Sequence, residues 1–231
     1  MKAYLNSPLF GVTITILTFL IGSYINKKTK MAILNPILLS AFAIIFVLNR
    51  FDIDYETYNL GGRLISFFIA PATVALAVPL YKNIRLLRKK WLPILIGITV
   101  GSLAGLVVIF VLCKLLGIDR TMLISLLPKS TTAAISMEIS KQIGGIPYLS
   151  VVFTAVTGIS GNISGEYVFR IFKINDKVSR GVSLGTASHV LGTAKAMEMG
   201  ETEGALSSLS ITVAGIISVF LIPWFMNLIG I

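Results

Sequence analysis

Six apolar runs separated by short polar or basic links organise the chain: 8–26, 34–48, 64–80, 92–116, 146–172 and 205–229. Crossing a bilayer as a helix takes about 20 apolar residues, roughly 17–25 in practice. Each run is near that length, the second only with its flanks. The pattern predicts an all-α polytopic membrane protein with about six transmembrane helices. Two stretches break the rhythm: 121–145, which contains PKSTTAAISME at 128–138, and 181–200, which reads GVSLGTASHVLGTAKAMEMG. Both are rich in small and hydroxyl residues where a lipid-facing helix would carry Leu and Ile.

Composition agrees with this pattern. The 231 residues are 55% hydrophobic and 13% charged, against about 25% charge in a soluble domain. This excludes disorder and argues against a water-soluble fold. The net charge of +10 is not a nucleic-acid footprint, because 11 of the 20 Lys and Arg sit in three short links. These are Lys27-Lys28-Lys30, KNIRLLRKK at 82–90, and Lys173-Lys177-Arg180. Lys2 precedes the first run, but the strong positive charge follows it and no Ala-x-Ala-like site appears. The run is therefore expected to be a retained span rather than a cleaved signal. Cys113 stands alone inside a span, implying neither a disulfide nor a metal site.

Short basic links belong in the cytoplasm. The acidic link RFDIDYETYN, with Asp52, Asp54 and Glu56 against Arg50, then lies outside, as does the N-terminus. Span four ends outside near Asp119 and Arg120, and span five must start outside to deliver Lys173 to the cytoplasm. Residues 121–145 therefore begin and end on one face, as a re-entrant or broken hairpin does. Residues 181–200 start in the cytoplasm. As a second hairpin they leave Glu201 and Glu203 inside; a full crossing places both outside and satisfies the charge rule nearly as well. With two hairpins, 121–172 and 181–229 form two hairpin-plus-span units of opposite orientation, the inverted repeat of many secondary transporters. Faint echoes support a repeat: Pro71 with Thr73 against Pro128 with Ser130, and LPI at 92–94 against IPY at 146–148. The expected division is four N-terminal spans in 1–117 and a polar half in 118–231, within one integral membrane domain.

The polar residues suggest chemistry. A helix interrupted at Pro128 frees backbone N–H groups and the positive end of a dipole, which favours an anion. Lys129 adds charge, and Ser130, Thr131 and Thr132 cap the next half-helix or donate to a carboxylate. Glu138 is either half of an interfacial pair with Lys141 or a proton carrier, since an intramembrane carboxylate is costly unless paired or protonated. The second stretch gathers Thr186, Ser188, His189 and Thr193, with Lys195 and Glu198 beyond. His189 is the only histidine, able to donate to a carboxylate or change protonation near neutral pH. Gly97, Gly101 and Gly105, and Gly161 with Gly165, read as helix-packing glycines. Glu166 is placed to pair with Arg170 at i+4. No phosphate loop, zinc motif or nucleophile arrangement marks an enzyme, and no cofactor is implied.

LLPKSTTAAISMEISKQIGGIP, VFTAVTGISGN and RGVSLGTASHVLGTAKAMEMGETEGALSSLS together resemble the LrgB/CidB family of bacterial membrane proteins, over nearly the whole chain. The resemblance places one family motif on Lys129, Ser130, Thr131, Thr132, Glu138, Gly144, Gly145 and Pro147. A second runs from Arg180, Gly181 and Gly185 through Ser188, His189, Gly192, Thr193 and Ala194 to Glu198, Gly200, Glu201, Glu203 and Gly204. Departures are Ala133, where a proline is expected, and the polar Asn162 and Glu166. The resemblance implies two descriptions. One is an antiholin-like or holin-like modulator of murein hydrolase activity and lysis, acting with a small LrgA/CidA-type membrane partner. The other is transport of glycolate, glycerate, pyruvate or a similar carboxylate across the bacterial cell membrane. The second fits the paired polar segments. Lys129, Ser130, Thr131 and Thr132 would bind the carboxylate, completed by Thr186, Ser188, His189 and Thr193, with Glu138 or His189 carrying a coupled proton. A homo-oligomer is expected, and nucleic acid is not.

Overall fold

A computed structural model describes residues 7–29, 34, 36–68, 71, 74 and 77–230, and these contain helices and no strand. By contacts the chain divides into two units, Met1–Ala75 and Leu76–Ile231. The boundary falls inside the apolar run 64–80. Several residues of that run, among them Thr73 of the proposed echo, lie outside the described residues, as do Lys2 and Lys30.

The first unit holds α1 (Pro8–Thr29), α2 (Pro36–Arg50) and α3 (Tyr55–Phe67). Close backbone approach fixes it: a methyl group added at Gly61 would overlap the carbonyl of Pro8, and one added at Gly11 would overlap that of Tyr58. Thr15 Oγ1 lies 3.0 Å from the Tyr58 hydroxyl across this crossing. The sequence pattern places 50–59 in an external link and begins the third span at 64. Instead the backbone turns helical at Tyr55, because Asp54 takes the extended N-cap conformation and Tyr58 and Gly61 have a partner face on α1.

The second unit contains α4 (Ala77–Lys82), α5 (Ile84–Leu115), α6 (Arg120–Leu126), a 3₁₀ turn (Leu127–Ser130), α7 (Ala133–Ile143), α8 (Pro147–Ile171), α9 (Lys177–Met199) and α10 (Glu201–Ile229). Its core combines apolar clusters with inward-facing small and polar side chains. On α8, Ser150, Thr154, Gly158, Asn162 and Gly165 are buried, whereas Val152, Val156, Val168 and Ile171 are exposed. On α10, Glu203, Ser207, Ser210, Ala214 and Ser218 are buried, with Ile216, Phe220, Trp224 and Leu228 exposed. Polar and small groups turned inward and bulky apolar groups turned outward are the arrangement lipid selects.

Three described helices are long and apolar enough to cross a membrane: Pro8–Thr29, Arg88–Leu115 and Glu201–Ile229. α2 is apolar but has only 15 residues. α8 has 25 residues, and its buried polar stripe dilutes its hydropathy. α5 is kinked at Lys90 (φ −115°, ψ 20°), three residues before Pro93, which has no N–H to give the carbonyl of residue 89.

Both polar stretches double back. In the first, the Ser125 hydroxyl accepts the Ile146 N–H at 2.8 Å, and the Ser150 hydroxyl donates to the Ser125 carbonyl at 2.7 Å, so its two ends are tied together. In the second, α9 breaks at His189 (φ 42°, ψ −127°). Its arms lie side by side: a methyl group at Gly192 would overlap the Leu184 carbonyl, and Ile174 and Met199, at opposite ends, pack on one cluster with Phe169, Leu184 and Ala196.

α9 and α10 pack backbone against backbone, with Gly181 facing the Glu203 carbonyl and Gly185 facing that of Ser207. Introducing Gly185→Val should therefore destabilise the second unit by at least about 1–3 kcal/mol, the usual range for overpacking. The measurement is thermal unfolding of the purified protein in detergent, and an unchanged midpoint would refute this account of the contact.

Candidate functional site

The two breaks meet at a cavity of about 790 Å³ within the second unit. The first break forms because Leu127–Ser130 tightens into a 3₁₀ turn and Thr131 then takes an extended conformation. The Thr131 hydroxyl donates to the Pro128 carbonyl at 2.7 Å, and Thr132 caps α7 by accepting the Ile135 N–H at 3.4 Å. Lys129, Ser130 and Thr131 line the cavity from this side. Lys129 Nζ reaches the Ser130 hydroxyl at 3.4 Å.

From the second break come Thr186, Ala187 and Ser188. The α8 glycines make room for this turn. A Cβ at Gly161 would overlap the Ser188 hydroxyl, and one at Gly158 would stand 2.6 Å from Cε1 of His189. Thr186 is only 7% exposed and its hydroxyl has no hydrogen-bond partner. A buried donor without a partner costs about 1–3 kcal/mol and invites a ligand or an ordered water.

Other expected site residues stand apart from the cavity. Thr132 is spent on capping α7. His189 turns into α8, with Nε2 3.0 Å from the Thr154 carbonyl. The Thr193 hydroxyl lies 2.7 Å from that of Ser207 in the α9–α10 contact. Glu138 is exposed on α7 and accepts from Gln142 Nε2 at 3.5 Å. Glu166 meets Lys195 at 3.3 Å rather than Arg170, and Lys195 also reaches Glu198 at 3.2 Å. For Glu166, His189 and Thr193 the partner is one that tertiary packing delivers, whereas Thr132 and Glu138 keep partners within their own helix.

Sequence reasoning missed two contributions. Gly97, Gly101 and Gly105 form a smooth wall of the cavity, and nothing lies within 4 Å of where a Gly105 Cβ would be. Asn162 Nδ2 donates to the Leu191 carbonyl at 2.9 Å, a group in the segment where the break disturbs the helical ladder. An Asn among the small residues of the buried α8 face was the available signal.

The cavity's ends differ. Around Leu106, Ile109 and Ile222 it abuts an apolar cluster with Cys113, Leu123, Leu127 and Phe225. The opposite end carries Lys90 and Asp176, 3.9 Å apart. Asp176 caps α9, accepting the Ser179 N–H at 2.8 Å and the Ser179 hydroxyl at 2.9 Å. These two bonds, then Lys90, hold its carboxyl below the usual carboxylate range.

Among the described residues, helices with membrane-length apolar runs, inward-facing polar stripes and a cavity where two interrupted helices meet define a helical membrane protein. Comparison with known sequences gives the family: the LrgB-like family model matches residues 15–228, and the chain belongs to that family. Relatives from Bacillus cereus and Bacillus anthracis, each called antiholin-like protein LrgB, are 38% identical over 228 residues, covering 97% of this chain and 98% of theirs. No solved structure gives a significant match.

Two measurements probe this geometry. Asn162→Leu leaves the Leu191 carbonyl without that donor and should cost about 1–3 kcal/mol in unfolding experiments. Asp176 stabilises the fold fully above the ordinary carboxyl value of 3.8, and this contribution is lost as pH falls through its lower folded value. The stability gap between wild type and Asp176→Asn should therefore narrow on acidification below 3.8 in thermal melts.

Proposed function

We propose that this chain is a secondary transporter of small monocarboxylates or hydroxy acids, of the size of pyruvate, glycolate or glycerate, in the bacterial cell membrane. The observation that supports this best is the convergence of Lys129, Ser130 and Thr131 with Thr186 and Ser188 on one cavity, the Thr186 hydroxyl being unpartnered. Lys129 supplies the charge, the Ser130, Thr186 and Ser188 hydroxyls supply donors, and Ile94, Leu106 and Ile222 suit a short carbon skeleton. Thr132, His189 and Thr193 act from behind this surface by fixing the two breaks. His189 is the preferred proton carrier over Glu138, which faces away. In this reading the protein has six spans and two re-entrant hairpins of opposite orientation, works as a homo-oligomer with a small LrgA/CidA-like subunit, and moves its cargo unchanged without a cofactor.

A second reading is favoured by a specific finding, the names of the relatives: an antiholin-like modulator of murein hydrolase activity and autolysis. At family level the comparisons support this description better than they support carboxylate transport. The two are compatible if carboxylate flux alters autolysis indirectly.

Uptake of labelled pyruvate or glycolate into proteoliposomes under an imposed proton gradient, with and without the small subunit, tests the transport reading. Lys129→Gln should reduce uptake at least tenfold, and Glu138→Gln should leave proton-driven uptake intact. Unselective solute leakage, or no uptake with the subunit present, would favour the antiholin-like description.

A further inference from the structure

The two ends of the cavity are bordered by different kinds of contact. Toward α6 and the far end of α5 lies a packed cluster of buried apolar side chains, including Leu106, Ile109, Leu123, Ile222 and Phe225. Opening there would separate a packed apolar cluster. At the other end stands the Lys90–Asp176 pair at 3.9 Å, with side chains 43% and 53% exposed. An ion pair this exposed is held weakly, because water and salt screen it. The thin end is also the basic one, since Lys90 closes the run KNIRLLRKK and Lys177 and Arg180 follow Asp176.

The two partners of the pair are not equivalent. Asp176 is held through Oδ2 by the N–H and hydroxyl of Ser179, leaving Oδ1 toward Lys90. Lys90 makes no other ion pair among the described residues and sits at the non-helical kink of α5, before Pro93. It is the less constrained half of the contact, and it lines the same cavity as Lys129.

We propose that Lys90 is an anion-receiving site at the cavity mouth, latched by Asp176, from which a small carboxylate passes to Lys129. The arriving carboxylate competes with Asp176 for the Lys90 ammonium, so the cargo itself releases the latch. No covalent step is involved. The inference rests on the carboxylate reading for its cargo, while the charge selectivity of the mouth is measurable without transport.

The test uses the full chain in membranes with Cys113→Ala and Gly105→Cys, the latter placing a thiol where the cavity has open space. Small anionic and cationic methanethiosulfonates are applied to each face. The expected result is labelling from the face bearing the Lys90 link, at least fivefold faster for the anionic reagent than for an equal-sized cationic one. Lys90→Gln should remove that preference, and Lys90→Arg should retain it. Asp176→Ser, which keeps a capping hydroxyl but deletes the charge, should speed labelling by the anionic reagent. Retention of the Lys90→Arg response shows that the kink tolerates substitution. Labelling from the opposite face only, or an anion preference unaffected by Lys90→Gln, would overturn the proposal. Failure of carboxylate uptake alongside an intact Lys90-dependent preference would instead count against the transport reading.

Discussion

A backbone amide or carbonyl inside a bilayer has no water to bond, and an unsatisfied one costs several kcal/mol. The structure around the cavity follows from this constraint. The helix breaks create such groups, and nearby side chains answer several of them: the Pro128 carbonyl by Thr131, the Ile146 N–H by Ser125, and the Leu191 carbonyl by Asn162. These bonds make the breaks stable features. They also tie the ends of 121–145 together, so that Lys129 stands at a tip.

Packing in a lipid solvent explains the glycines. Without a hydrophobic drive between helices, contact is gained by bringing backbones close. The α9–α10 contact is of this kind, with Gly181 and Gly185 against the carbonyls of Glu203 and Ser207 and Gly204 against Met197. Once small residues line the seams, the same device leaves hollows. Gly97, Gly101 and Gly105 place no side chain into the cavity, while Gly158 and Gly161 accept the His189 ring and the Ser188 hydroxyl. One residue type thus both closes helix contacts and clears room for a ligand. The outcome depends on whether a neighbouring helix occupies the opposite position.

Electrostatics divide the cavity into two zones. Lys129 is half-buried beside the first break, where a charge interacts more strongly with an anion that shares its site than it would in bulk water. Lys90 and Asp176 are half-exposed, where water and salt weaken attraction. Under the proposed transport reading, an inner and an outer cation suit passage, because an ion must leave as well as bind.

Membrane character, the helical class and the two polar interruptions are written in the sequence, because hydropathy over about 20 residues and a Pro–Lys–Ser–Thr–Thr run in apolar surroundings depend only on local order. Family membership is equally local, being carried by contiguous motifs such as PKSTTAAISME and GTASHVLGTAKAMEMG. Which hydroxyls face the cavity is not local. Thr131, Thr186 and Ser188 line it, whereas Thr132 and Thr193, of the same chemistry and in the same motifs, are taken up by a cap and by Ser207. Glu166 binding Lys195 instead of Arg170, the early start of α3, and the pairing of Lys90 with Asp176 also required the folded chain. The sequence determines what each segment needs in order to be satisfied in lipid, and only tertiary packing decides which neighbour satisfies it and which polar groups remain for a ligand.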